Sequence, residues 1–113
     1  MVPVPTVRFF CTNSGREPVR DWLKEELSAE DRREIGIDIK TAQFGWPIGM
    51  PVVRKLEANL WEVRSRIRSG IARTIFTVVG SEMILLHGFV KKTQKTPKDD
   101  LTVAKTRLKE FEK

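Results

Sequence analysis

The sequence has no tyrosine, a single cysteine (Cys11) and a single histidine (His87) among 113 residues. One thiol excludes an intrachain disulfide framework, and this histidine and cysteine count excludes the usual zinc ligand sets. A cysteine–histidine catalytic pair would need Cys11 and His87 to converge from separate apolar runs, where burial is the ordinary role of both residue types. No run approaches the roughly 18 apolar residues of a membrane-spanning helix. The opening stretch MVPVPTVRFF lacks the basic region and small-residue cleavage site of a secretory signal, so a cytoplasmic protein is expected. Also missing are a glycine-rich phosphate loop, HExxH, GxSxG and paired carboxylates. No cofactor and no metal are therefore expected.

What is present is positive charge. The apolar fraction of 40% beside 32% charged residues is that of an ordinary globular protein, and the length suits one domain spanning residues 1–113. The net charge of +6 points to an anionic partner, of which nucleic acid is the obvious class. Its placement is uneven. Between Gly15 and Glu34 there are five basic and seven acidic residues, whereas between Arg54 and Lys98 there are ten basic and three acidic. Clustering of that kind is what a phosphate-binding surface requires, although a solvated basic face would look the same.

Residues 6–11, TVRFFC, are β-prone and predict a first strand. Ser14 and Glu17 have capping-box spacing and Pro18 suits a first turn, so a helix is expected from about Arg16, with Val19, Trp22, Leu23 and Leu27 on its apolar face. Ser28 and Asp31 give a second start, continued by Ile35, Ile39 and Ala42. FGWPIGMP, residues 44–51, predicts a loop in which Trp46 is either a core plug or a base-stacking platform. Val52–Leu56 is left open between a helical turn and an edge segment. Leu60–Ile67 alternates, with Trp61, Val63, Ser65 and Ile67 on one side and Leu60, Glu62, Arg64 and Arg66 on the other. Turns at Arg68-Ser69-Gly70 and Gly80-Ser81 flank a strand from Ile71 to Val79. The apolar run Met83–Val90 predicts a strand covered on both faces. Thr96 as cap and Pro97 in the first turn predict a last helix whose stripe is Leu101, Ala104, Leu108 and Phe111. The expected class is α+β: a small antiparallel sheet with helices packed on one side, in the order β-α-α-β-β-β-α.

Within this frame Arg64 and Arg66 share a strand face, Arg73 lies on the hairpin partner, and Lys91, Lys92 and Lys95 follow the next strand. These sources can converge on one patch. The stretches LWEVRSRIRSGIARTIF and ILLHGFVKKTQKTPKDD, with a helix carrying Ala104 and Arg107, resemble the HigB-type, phage-derived branch of the RelE/ParE toxin superfamily. The resemblance covers nearly the whole chain, and GFVKKTQKTP is its most specific segment. It implies a RelE-like fold and a ribosome-dependent endoribonuclease that cleaves mRNA. It also implies a cognate antitoxin, often HigA-like with a helix-turn-helix domain, alongside the ribosome and mRNA as partners. Carried over by position, the catalytic roles fall on Arg64, Arg73, Lys91 and Lys92, and RNA contacts on Arg66, Arg68, Lys95 and Lys98. The superfamily also contains ParE-like gyrase inhibitors, and a non-catalytic RNA-binding domain is a third reading.

RNA carries its own nucleophile, the 2′-OH, so the protein must align it, accept a proton and stabilise the phosphoryl oxygens. Arginine offers two donors and cannot act as a base, which suits Arg73 to charge stabilisation. Lysine can titrate, which suits Lys92 or Lys91 to proton transfer, with Glu62 as an alternative base. No metal is needed for this reaction. The tyrosine that some relatives use is missing here, leaving Phe89, Phe111 or Trp61 as the aromatic to stack on a base. Each residue also has a plainer role: Arg64 and Arg66 as solvated strand residues, His87 as a core histidine with a satisfied hydrogen bond, and the lysines as contacts to ribosomal RNA or an acidic antitoxin segment.

Overall fold

The computed structural model describes residues 3–91 and 96–112. In chain order the elements are β1 (Thr6–Phe9), α1 (Pro18–Glu25), α2 (Ala29–Gly45), β2 (Val53–Glu57), β3 (Leu60–Ile67), β4 (Gly70–Val79), β5 (Glu82–Lys91) and α3 (Lys98–Glu112). The five strands form one sheet in the order β1-β5-β4-β3-β2. The α+β class is as expected, with two differences in the sheet. Its fifth strand, β2, comes from the segment left undecided, and β1 pairs parallel to β5, so the sheet is mixed rather than antiparallel.

Strand alternation divides the core into two layers. Val63, Ala72, Phe76, Met83 and Leu85 face α1 and α2, meeting Val19, Trp22, Ile35, Ile39 and Ala42. Leu60, Ile75, Ile84 and Leu86 face the opposite way and meet Ala104, Leu101, Leu108 and Phe111 of α3. The helices therefore occupy both faces of the sheet, which corrects the expectation that they lie on one. Each fully buried aliphatic side chain contributes roughly 1.5–3 kcal/mol, and the two layers together fix β4 and β5 as the middle of the molecule.

The helix starts differ in how they are capped. Ser28 accepts from the Asp31 amide at 3.1 Å, as its spacing predicts. The Ser14–Glu17 capping box does not form: Ser14 Oγ pairs with Thr12 Oγ1, which accepts from the Arg16 amide, and α1 starts at Pro18 with no side-chain cap. Thr96, expected to cap α3, instead donates its hydroxyl to Glu62 Oε2 at 2.7 Å. Trp46 is a plug, packed edge-on against Trp61 and Phe76 at 5.0 and 5.5 Å. Asn59, with φ of 63°, makes the β2–β3 turn. One irregularity interrupts β5: Ile75 pairs with His87 and Phe76 with Leu85, so Leu86 is an extra residue in the ladder.

Candidate nucleic-acid interface

Helix α3 covers only part of its side of the sheet. Beyond its contacts, the same face continues as rows of side chains set by the ladder register. Arg54 of β2 stands opposite Glu62 of β3. Arg64 of β3 stands opposite Arg73 of β4, which stands opposite Phe89 of β5. In the next row, Arg66, Ile71 and Lys91 are neighbours in the same order. Directly opposed side chains on one face have Cβ atoms about 4.5–5.5 Å apart, and like charges in that position repel. The Arg64–Arg73 pair therefore needs a counter-charge close by.

Glu62 supplies it. Its side chain is fully buried, as is that of Arg73, and Arg73 Nη1 donates to Glu62 Oε1 at 2.9 Å. The second carboxylate oxygen takes the Thr96 hydroxyl. One carboxylate thus binds two strands and the approach to α3, and removing one partner of such an enclosed pair costs about 3–5 kcal/mol. Three arginines neighbour Glu62 on this face: Arg73 through the ion pair, Arg54 directly opposite in the ladder and Arg64 two residues along β3. The excess of positive charge is built into the sheet and held in place before any ligand arrives.

The residues expected from the sequence divide into three groups. Arg64, Arg66, Arg73 and Lys91 share one face in adjacent rows, with Arg64 half-buried, Arg66 and Lys91 exposed, and Arg73 enclosed beneath them. Lys98, the exposed first residue of α3, follows two residues after Thr96. Arg68 sits elsewhere. At the β3–β4 turn its amide donates to Asp31 Oδ1 at 3.3 Å and its guanidinium lies 3.4 Å from Glu30, so it belongs to the start of α2. Lys92 and Lys95 lie outside the described residues.

Of the aromatics considered, Phe89 alone borders the arginines. Trp61 stacks on Phe76 on the opposite face at 6.0 Å, and Phe111 belongs to the layer beneath α3. Phe89 also lies nearly parallel to His87, with ring centroids 5.6 Å apart. His87 Nε2 is 2.7 Å from Asp100 Oδ1, and its Nδ1 lies 3.3 Å from Arg107 Nη1, which also donates to the Leu86 carbonyl at 2.8 Å. Arginine has only donors, so Nδ1 accepts and the ring proton sits on Nε2, pointing to Asp100. Burial lowers the His87 pKa from its ordinary value, opposed by the hydrogen bond and charge of Asp100 and reinforced by Arg107. His87 is the satisfied histidine of the plainer reading.

Arg54 and Thr96 join the site without having been singled out as its members. Arg54 had a signal in the alternation of VRKLE, obscured by the prolines before it. Thr96 had none, because its partner is 34 residues away. Among the described residues, no group of His, Cys, Asp and Glu could hold a metal ion, and no helix is long and apolar enough to cross a membrane.

A five-stranded mixed sheet with three helices and a basic face is compatible with a RelE-like fold. The family model described as phage derived protein Gp49-like (DUF891) matches residues 21–109, and the chain belongs to that family, one of RelE/HigB-like toxins of toxin–antitoxin systems. No curated protein matches the chain. Membership implies a cognate antitoxin as partner.

Proposed function

We propose that this chain is a HigB-type toxin, a ribosome-dependent endoribonuclease that cleaves mRNA by directing a 2′-OH onto the adjacent phosphodiester. The observation that supports this most is the Arg64–Arg73–Phe89 row standing on the buried Glu62. It sets two guanidiniums beside an aromatic ring, the pairing needed to hold a phosphate and stack the neighbouring base.

In this reading Arg64, half-buried and at the surface of the row, takes the phosphoryl oxygens with its planar fork. Arg66 and Lys91 hold the flanking backbone, together with Lys95 and Lys98. Arg73, fully buried and with its charge balanced by Glu62, anchors the row from beneath, and Glu62 acts as a positioning residue rather than as the base. Proton transfer falls to Lys91 or Lys92. The 2′-oxygen bonds to phosphorus, the 5′-oxygen leaves with a proton, and the products are a 2′,3′-cyclic phosphate and a 5′-hydroxyl. Cytoplasmic action on ribosomes and a HigA-like antitoxin belong to the same proposal.

The test is programmed ribosomes incubated with the protein, with mRNA ends mapped by primer extension. Wild type should generate new ends, and Arg64→Ala should slow their appearance by about 10²-fold, the usual effect of losing one donor to a developing oxyanion. Arg64→Lys should restore little, because an ammonium does not reproduce the two-pronged contact. Intact message at saturating wild-type protein would end the proposal, and inhibition of gyrase supercoiling in its place would select the ParE-like reading.

A further inference from the structure

The column that β1 starts beside β5 is filled only halfway. β1 pairs with Glu82–Leu85, and its ladder closes with the Phe10 amide donating to the Leu85 carbonyl at 3.0 Å. The chain then leaves the sheet for α1, while β5 continues to Lys91. Alongside that continuation runs an open groove of about 680 Å³. Gly88 and Val90, which face α1, line it together with His87 and Phe89, which face α3. A groove lined by side chains from both faces of one strand lies in the plane of the sheet, where the next strand would stand. Trp22 of α1 and Arg107 of α3 form its two walls. From Leu86 to Lys91 the edge is about 17 Å long, enough for five residues of extended chain.

We propose that this slot takes an extended, acidic segment of the cognate antitoxin, added to the outer edge of β5. The inference rests on reading the chain as a toxin with an antitoxin. An open strand edge pairs with extended chain through main-chain hydrogen bonds. The chemistry of the walls selects the segment's character. Trp22, Val90 and Phe89 offer apolar surface, Arg107 offers positive charge inside the groove and Glu26 a negative one on its rim. Lys91, at the end of β5 beyond the groove, adds a second cation in a chain of net charge +6. Among the described residues the Nε–Nη2 side of Arg107 makes no hydrogen bond, and that side presents the two parallel donors a carboxylate accepts. A segment seated here lies against Phe89, one strand from Arg73, and so occupies the border of the RNA-binding face.

The experiment uses the full chain co-expressed with the product of the reading frame beside its own. Amide hydrogen exchange is followed across residues 86–91 in the free chain and in the complex. Exchange there should slow on the order of tenfold or more in the complex. Glu26→Trp, which puts a bulky ring on an exposed residue of the slot's rim, should weaken the complex by about tenfold or more. Glu25→Trp, one residue away and outside the slot, should leave it unchanged, and both variants should cleave mRNA as wild type does. A complex that forms with the β5 edge exchanging as in the free chain, or that tolerates Glu26→Trp, overturns the docking site and leaves the toxin reading standing. Protection that appears on concentrating the free chain alone makes the occupant a second copy and also overturns it. No complex with the neighbouring product removes the antitoxin reading itself, and the docking site with it.

Discussion

His87 is the residue whose protonation the fold constrains most visibly. Its Nδ1 is held against a guanidinium and its ring is 17% exposed, so folding favours the neutral imidazole. Between the lowered folded-state pKa and the ordinary 6.5, the unfolded chain binds a proton that the folded chain does not. Stability from this residue therefore rises with pH across that window and is fully present above it. Thermal melts should show the midpoint falling as pH drops from about 7 to about 5, with a smaller fall in His87→Gln. Identical pH profiles for the two proteins would refute this assignment. The sequence foretold a satisfied histidine but not its partners, since Asp100 and Arg107 are reached only through the packing of α3 on β5.

At the level of elements, α2 holds together despite a glycine in its middle. A Cβ at Gly36 would meet nothing within 4 Å, so Gly36→Ala should stabilise the protein by about 1 kcal/mol. The melting midpoint should rise by roughly 4 °C. Gly88→Ala is the contrasting case, because its Cβ would collide with Trp22 Cε3 and Cζ3, and the midpoint should fall. A rise at Gly88, or no change at Gly36, would contradict these local packings. The element boundaries were legible where the pattern was local. β3 follows its alternation residue for residue, and both tight turns carry their glycines. Two things were not legible. An apolar stripe on α3 says that the helix packs on a sheet, not on which face, and the pairing of β1 depends on a strand some 75 residues away. The arginine patch was legible as a set of positions because β3 and β4 are joined by a short turn. The burial of Arg73 was not, because it depends on Glu62 and on what covers them.

For the molecule as a whole, the decisive property is where the positive charge sits. The first two helices carry five basic and six acidic residues between them, and Arg68 is drawn into the acids of α2. The excess is left to the opposite face, on Arg54, Arg64, Arg66 and Lys91. Binding to single-stranded RNA should therefore weaken steeply with salt. Four phosphate contacts predict a slope of about −3 in log K against log salt, which Arg66→Ala should reduce by about 0.7. Filter binding across a salt series measures both. A slope near zero would mean that the face does not meet RNA phosphates.

The single additional residue at Leu86 decides which side chains this face owns. Up to Leu86, the even-numbered positions of β5 point toward α3; after it, the odd-numbered ones do. Had the ladder stayed regular, Gly88 and Val90 would stand beside Arg73 and Ile71, while Phe89 and Lys91 would be pressed toward Trp22. Forcing every residue of the strand into unbroken register would thus exchange an aromatic and a cation for a bare backbone and an aliphatic chain, whereas removing Leu86 itself would leave Phe89 opposite Arg73 and Lys91 opposite Ile71.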